Sequence, residues 1–257
     1  MRKIYRGILT GCIALVATTS AHAVESEVNA DISAKITSGY IRRGCVINED
    51  PCFQPSVTLS SGNFALHVWG TWDITRTTNS SQRTRVDTTL DYTRVINKHI
   101  LSGGLIAYIY HDSQYTDSKK DTFEVFAEYT MDIPLLPSVA INYDFGEIEG
   151  FYIEISAGHS VGLIKGIADM DFRAGIGIAD ENHSIEVFNE VENLPEKTGF
   201  VDATVSISIP IQLGDLMTLT PSMTYMTLVD SELREAVDNA GQDINHFIYG
   251  VTCTYMF

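Results

Sequence analysis

The stretch from His246 to Phe257, HFIYGVTCTYMF, decides the fold. Phe247, Tyr249, Val251, Cys253, Tyr255 and Phe257 fall on one set of alternate positions. His246, Ile248, Gly250, Thr252, Thr254 and Met256 fall on the other. A β-strand turns successive side chains to opposite faces, so one face is continuously apolar and aromatic and the other small and mostly polar. The length suits a bilayer crossing, for which a tilted strand needs about 9–11 residues. A soluble strand has no reason to stop on an aromatic residue that completes an apolar face.

The same period of two runs upstream, and helical periodicity is almost absent. Val28, Ala30, Ile32, Ala34 and Ile36 alternate with Asn29, Asp31, Ser33, Lys35 and Thr37. Phe64, Leu66, Val68 and Trp72 oppose His67, Trp69, Thr71 and Asp73, and Phe123, Val125, Ala127 and Tyr129 oppose Thr122, Glu124, Phe126 and Glu128. Val201, Ala203, Val205 and Ile207 oppose Asp202, Thr204, Ser206 and Ser208. Counted through, the pattern predicts about twelve strands.

A soluble sandwich also alternates, but with its apolar face inward. The connections argue otherwise. Those at 42–52, 75–83, 112–120, 179–198 and 230–243 are long, and they alternate with short turns such as Ser61-Gly62-Asn63, Ile96-Asn97-Lys98 and Pro210 to Gly214. Long outer loops alternating with short periplasmic turns mark an outer-membrane barrel. The tight connection at Gly146–Gly150 is the exception. The expected fold is all-β: a transmembrane, antiparallel, up-and-down β-barrel with both termini periplasmic. Trp72, Tyr92, Tyr129, Tyr143, Tyr225, Tyr255 and Phe257 then suit its interfacial girdles.

Composition agrees. Seventeen Lys+Arg against 33 Asp+Glu give a net charge of -16, which excludes a phosphate-neutralising nucleic-acid surface. No apolar run of 18 residues lies beyond the N-terminus, so a bundle of membrane helices is excluded too. Arg2, Lys3 and Arg6, the apolar stretch from Ile8 to Ala17 and Ala21-His22-Ala23 read as a secretory signal peptide, residues 1–23, removed after Ala23. Residues 24–257 are then a single outer-membrane barrel domain. Leu9-Thr10-Gly11-Cys12 would suit lipid attachment, but would leave Arg6 inside a shortened apolar core.

In the processed chain Cys45 and Cys52 enclose VINEDP in a segment that reads as a loop. In an oxidising compartment they are expected to form a disulfide, the alternative being two unpaired thiols. No second pair at ligand spacing follows, so no metal site is expected.

With the apolar face toward lipid, the opposite face lines an interior. Asp31, Asp73, Asp87, Asp91, Glu124, Glu128, Asp144, Glu154, Asp169, Asp171 and Asp202 fall on it, against Lys35, Arg85 and Arg173. These fourteen are the expected pore-lining residues. An excess of carboxylates inside a low-dielectric wall enriches cations and excludes anions. The alternative is a water-filled but occluded barrel in which the bases pair with acids.

Ser38-Gly39-Tyr40-Ile41-Arg42-Arg43-Gly44 ends the first strand, Gln54-Pro55 opens the second, and Phe64 to Trp69-Gly70 forms the third. A Tyr-x-x-Arg-Gly strand end followed by a strand carrying Trp-Gly resembles the TorF-like putative porins, proteobacterial outer-membrane proteins. The likeness covers about the first fifth of the chain. It implies a porin-like outer-membrane protein of a Gram-negative bacterium, with no established substrate or catalytic residue. The terminal strand, ending in Tyr255 and Phe257, resembles the signal read by the barrel-assembly machinery.

Enzymatic readings are weaker. A lipid-active barrel would need Ser and His within hydrogen-bond reach, yet His159-Ser160 and His183-Ser184 are adjacent residues. Neighbours on one strand point to opposite faces. Asp112 to Asp117 lacks the glycine and glutamate of a calcium loop, and no Walker-type or Rossmann-type glycine pattern occurs. No cofactor and no enzymatic activity are expected. The acidic 179–198 loop leaves several uses open: an inward-folded constriction, a contact with another cell, or divalent cations bridging lipopolysaccharide. The expected function is passive diffusion of small polar or cationic solutes through an acidic lumen. The alternatives are an occluded structural barrel acting through its loops and, third, a lipid-active enzyme. The expected partners are outer-membrane lipid and lipopolysaccharide, the assembly machinery and small solutes.

Overall fold

The computed structural model describes residues 28–75, 84–111, 121–188, 191, 194–195 and 197–257. The expected signal peptide and the segment 112–117 lie outside them. Strand β1 (Val28–Thr37) leads into a small hairpin, β2 (Tyr40–Arg42) and β3 (Cys45–Asn48), before β4 (Cys52–Ser61) returns. β5 (Phe64–Asp73), β6 (Thr84–Ile96), β7 (His99–His111), β8 (Thr122–Met131), β9 (Ser138–Asp144) and β10 (Phe151–Ile164) continue up and down. β11 (Ala168–Ala179) is followed by helix α1 (Glu181–Val187), then by β12 (Gly199–Ser208) and the two-residue β13 (Ile211–Gln212). β14 (Met217–Leu228), helix α2 (Ser231–Asn239) and β15 (Asn245–Met256) complete the chain.

Each long strand pairs antiparallel with the next, and β15 closes on β1 from Asp31↔Met256 to Thr37↔Gly250. The result is a closed ring of twelve strands with no free edge. Its short turns form where the alternation predicts them: Ser61 pairs with Phe64 around Gly62-Asn63, and Ile96 with His99 around Asn97-Lys98. Gly62 and Asn97 take positive φ there, as two-residue hairpins require.

The exterior is apolar from end to end. Ile32, Val57, Leu66, Leu105, Ile141, Val205 and Val251 all point out of the ring, and β15 alternates exposed and half-buried along its whole length. Aromatic side chains frame this band. Phe53, Trp72, Phe123, Tyr143, Phe200, Tyr225 and Phe247 stand at the loop end, and Phe64, Tyr92, Tyr129, Tyr255 and Phe257 at the turn end. Several anchor to polar groups, such as Tyr225 donating to Asn245 Oδ1 at 2.9 Å and Asn63 Nδ2 donating to the Tyr92 hydroxyl at 3.1 Å. Such an exterior is stable only in hydrocarbon, and a sheet survives in hydrocarbon only if it closes. This is a membrane-spanning barrel.

Three expectations need correction. Val201 does not face outward. The ladder between β11 and β12 slips between Ile176↔Ala203 and Ile178↔Phe200, and this bulge gives the outward position to Phe200 and turns Val201 in beside Asp202. Two helices interrupt an otherwise all-strand reading. Each is too short for a periodic signal but carries an aspartate N-cap: Asp180 accepts from His183 N, and Asp230 from Glu232 N and Leu233 N. Finally, the Cys45–Cys52 bridge does not form. Cys45 Sγ is directed at the Val187 carbonyl, 3.3 Å away on α1, while Cys52 sits in the wall with its Sγ 3.2 Å from the Asp50 carbonyl.

The inside-out arrangement makes opposite demands on neighbouring positions. Leu105→Arg, on the lipid face, should destabilise the barrel by about 2–4 kcal/mol, whereas Thr252→Arg, on the inner face, should cost far less. Urea unfolding of protein refolded in lipid vesicles measures both.

Candidate functional site

The loop-end half of the interior is filled by the chain itself. After Thr37 the β2–β3 hairpin turns inward instead of continuing the wall. Its two-residue turn is Arg43-Gly44, with φ of 51° and 83°. Glycine suits this left-handed geometry; arginine adopts it at a cost in strain. A Cβ on Gly44 would lie 2.9 Å from Val201 Cγ1, so the hairpin tip also needs a residue without a side chain.

The strained turn delivers Arg43 to Glu124 of β8. The guanidinium forks onto the carboxylate, Nη1 donating to Oε2 at 2.7 Å and Nη2 to Oε1 at 2.8 Å. Such bidentate charge-assisted pairs are the strong ones. The Arg42 Nη2 lies 3.6 Å from the same carboxylate and donates to the Tyr108 hydroxyl, which in turn donates to Glu124 Oε1 at 3.1 Å. Arg42 stacks over the Tyr108 ring at 4.5 Å and Arg43 over Tyr152 at 4.9 Å. Glu124 is 1% exposed and meets two guanidiniums.

A second buried pair lies beside the first. Arg85 Nη2 donates to Asp87 Oδ2 and to the Tyr40 hydroxyl, each at 2.7 Å, and the guanidinium lies within 5.0–5.8 Å of the rings of Tyr40, Trp69, Tyr108 and Tyr110. Tyr40 packs on Trp69 with centroids 5.3 Å apart. Tyr40 and Trp69, quoted from the sequence as parts of one motif, therefore meet inside the barrel, whereas Arg43 of that motif reaches Glu124 and Tyr152.

Above these polar groups lies an apolar core. Phe188, Val191, Leu233 and Val237 from the α1 and α2 segments pack with Tyr152, Val201 and Leu228 of the wall, and Cys45, Val187 and Ala236 border them. On the exposed side Lys197 Nζ contacts Asp230 Oδ2 at 3.0 Å and Glu232 Oε2 at 2.8 Å, joining the α1 and α2 connections. The described part of the 179–198 connection has thus folded inward. His183 is 1% exposed, with its ring 5.5 Å from Tyr152, and Ser184 Oγ donates to the Asp180 carbonyl at 3.0 Å. Burial, then the nearby Arg43 and Arg42 cations, push the His183 pKa well below its ordinary value.

The turn-end half is different in kind. Its inner face is rich in hydroxyls, with Ser33 and Thr254 2.9 Å apart, Thr93 and Ser102 2.9 Å apart, and Ser138 and Ser156 2.7 Å apart. Arg173 Nη2 donates to Glu154 Oε1 at 2.9 Å and to Ser156 Oγ at 2.8 Å. Glu128 accepts from Thr130 and Asp91 from Thr93. Asp171 is buried, and its Oδ1 has no hydrogen-bond partner among the described residues.

The fourteen residues expected inside divide by depth and by partner. Arg85, Asp87, Asp91, Glu124, Asp144, Asp171 and Asp202 are buried. Asp31, Lys35, Asp73, Glu128, Glu154 and Arg173 are half-buried, and Asp169 is exposed near the β10–β11 turn. Arg85, Asp87 and Glu124 meet in the arginine network. Asp202 accepts from Tyr152 at 2.9 Å, and Asp144 accepts from Thr122 at 2.7 Å and from Gly146 N and Ile148 N. The sequence reading does not place Arg42, Arg43, Tyr108, Tyr152 or His183 among the interior groups. Only Arg43-Gly44 carried a usable signal, a residue pair suited to a tight turn. His159 and Ser160 sit exposed near the end of β10. Among the described residues no group of three or more His, Cys, Asp or Glu side chains could hold a metal ion.

No protein-family model and no curated protein matches the chain. Solved structures to which it is similar include the NanC porin, at 10% identity over 88% of this chain and 98% of that one, with a TM-score of 0.46. An outer-membrane channel from Pseudomonas putida F1 is 9% identical over 95% and 100%, with a TM-score of 0.44. The translocator domain of the autotransporter NalP from Neisseria meningitidis is 10% identical over 90% and 88%, with a TM-score of 0.41. The closed ring, not these likenesses, establishes the barrel.

Glu124 is the hub of the network, and removing its charge strands two arginines. Glu124→Gln should cost about 3–5 kcal/mol, the penalty for breaking a buried ion pair. Adding Arg43→Met should restore much of that loss. A double-mutant cycle on thermal unfolding in detergent reads the coupling.

Proposed function

We propose that the protein is an outer-membrane channel for small polar solutes, constricted by an inward-folded hairpin and favouring cations. The loop end would face outward, with the termini and short turns in the periplasm. The observation that carries this reading is the Arg43–Glu124 contact, which ties a loop hairpin across the interior of a closed polar-lined ring. A barrel that served only as a scaffold has no need for hydroxyl and carboxylate side chains along its lower inner wall.

The charge balance supports the cation preference, and it differs by depth. In the upper half Arg42, Arg43 and Arg85 offset much of the acid brought by Glu124, Asp87, Asp144 and Asp202. In the lower half Asp31, Asp91, Glu128, Glu154 and Asp171 face Arg173, leaving an excess of negative charge. In a low-dielectric wall that excess concentrates cations. Selectivity would therefore reside in the lower lumen and permeation rate in the upper one. The expected roles of Tyr255 and Phe257 in assembly belong to the same proposal: both rings face outward at the turn end, 4.9 Å apart.

A second reading, an occluded barrel, draws on the apolar core that α1 and α2 build at the loop end. Planar-bilayer recordings separate the two. Wild-type protein should give small, brief conductance steps with a reversal potential of cationic sign in a KCl gradient. Replacing 40–49 by a short Gly-Ser loop should enlarge them, and Glu128→Gln with Asp171→Asn should reduce the cation preference. A silent wild type beside a conducting loop variant would favour occlusion. Silence in both, from correctly folded protein, would remove the channel.

A further inference from the structure

We propose that the inward-folded elements form an acid-released plug, in which His183 is the proton acceptor whose charging drives α1 and the β2–β3 hairpin out of the interior. This goes beyond the channel reading and does not require that the barrel conduct.

The geometry begins with an imidazole that has nowhere to place a second proton. His183 is buried, and its Nε2 has no hydrogen-bond partner among the described residues. Its backbone N–H is held by the Asp180 carboxylate at 2.9 Å, which fixes the helix start and so the ring's position against Tyr152.

The charged and titratable groups around it are few, and they come from every element packed on α1. The hairpin contributes Arg42 and Arg43, cations that disfavour a third. Strand β8 contributes Glu124, already forked by Arg43 and bonded by Tyr108. Strand β10 contributes the Tyr152 ring, whose hydroxyl donates to Asp202 of β12. On the helix itself, the Asp180 carboxylate is occupied by His183 N and Phe151 N, and Glu181 is exposed. Every nearby carboxylate is thus engaged, and the two guanidiniums oppose a proton on His183 with a charge that Glu124 offsets only in part.

The plug therefore stays closed only while His183 is neutral. Burial and the two cations lower its proton affinity in the closed form. Once displaced into water it regains its ordinary value, near pH 6.5. The open form then binds more protons than the closed one, so closure is fully favoured above about pH 6.5 and weakens as the pH falls. With a single proton, each pH unit below that point shifts the ratio of closed to open by at most about tenfold. The helix and the hairpin move together because Cys45 of β3 bonds the Val187 carbonyl at 3.3 Å and both border the same apolar core.

Trp69 reports hairpin position directly, since Tyr40 covers it inside the barrel. In a Trp72→Phe background, refolded into vesicles, acrylamide quenching of Trp69 should be weak at pH 7.5 and rise steeply toward pH 5. His183→Gln and His183→Asn should flatten that profile while their quenching at pH 7.5 stays low. A flat wild-type profile would overturn the proposal, as would an equal rise in both histidine variants, which would move the effect to a group other than His183. Conductance recorded in parallel separates this outcome from failure of the channel reading, because quenching follows the plug whether or not ions pass.

Discussion

The structure depends on one pairing, that of Val28–Thr37 with Asn245–Met256. Hydrocarbon offers no partner to a backbone N–H or carbonyl, so a sheet left open would expose a row of orphaned groups to lipid at several kcal/mol each. Joining the first strand to the last removes that row. Once the ring is closed, the two faces of every strand meet different solvents, and the sequence must serve both. Val251 and Ile36 face lipid at one level of this closing pair, and Thr252 and Lys35 face the interior at the next. The closure reaches Phe257 as well, whose N donates to the Ala30 carbonyl of the first strand at 2.9 Å.

Inside, the problem is charge. Arginines buried next to carboxylates are stable only if their hydrogen bonds are met, because desolvating each ion costs several kcal/mol. The protein meets this with aromatic rings and forks. Arg85 lies among Tyr40, Trp69, Tyr108 and Tyr110, and Arg43 forks onto Glu124. Because two of the guanidiniums come from a loop hairpin, the wall's own carboxylates hold the insert in place. The inward-folded hairpin is therefore held by an electrostatic attachment capped by an apolar core.

Period-two alternation made most of the wall legible, together with the turns at Gly62-Asn63 and Asn97-Lys98, because both signals are local. What escaped was set by contacts distant in sequence. Val201 reads as a lipid-facing residue on alternation alone; only the mismatch between β11 and β12 turns it inward. Asp230-Ser231-Glu232-Leu233 has the form of a capped helix start, but the helix is nine residues long and most of its apolar contacts lie on other elements. The Tyr40 to Gly44 motif was visible, yet its meaning as a turn that projects an arginine 81 positions along the chain to Glu124 needs the closed ring. Cys45 and Cys52 were close in sequence and suggested a bridge. The hairpin carries the first toward α1 and leaves the second in the wall.

The claim that lipid touches one face of every strand and water the other is tested most directly by a nitroxide accessibility scan along Asn245–Met256 in vesicles. Labels at 247, 249, 251, 253 and 255 should relax with dissolved oxygen, and those at 248, 250, 252 and 254 with a water-soluble nickel complex, alternating without interruption. Uniform accessibility along the strand, or the opposite phase, would contradict the account.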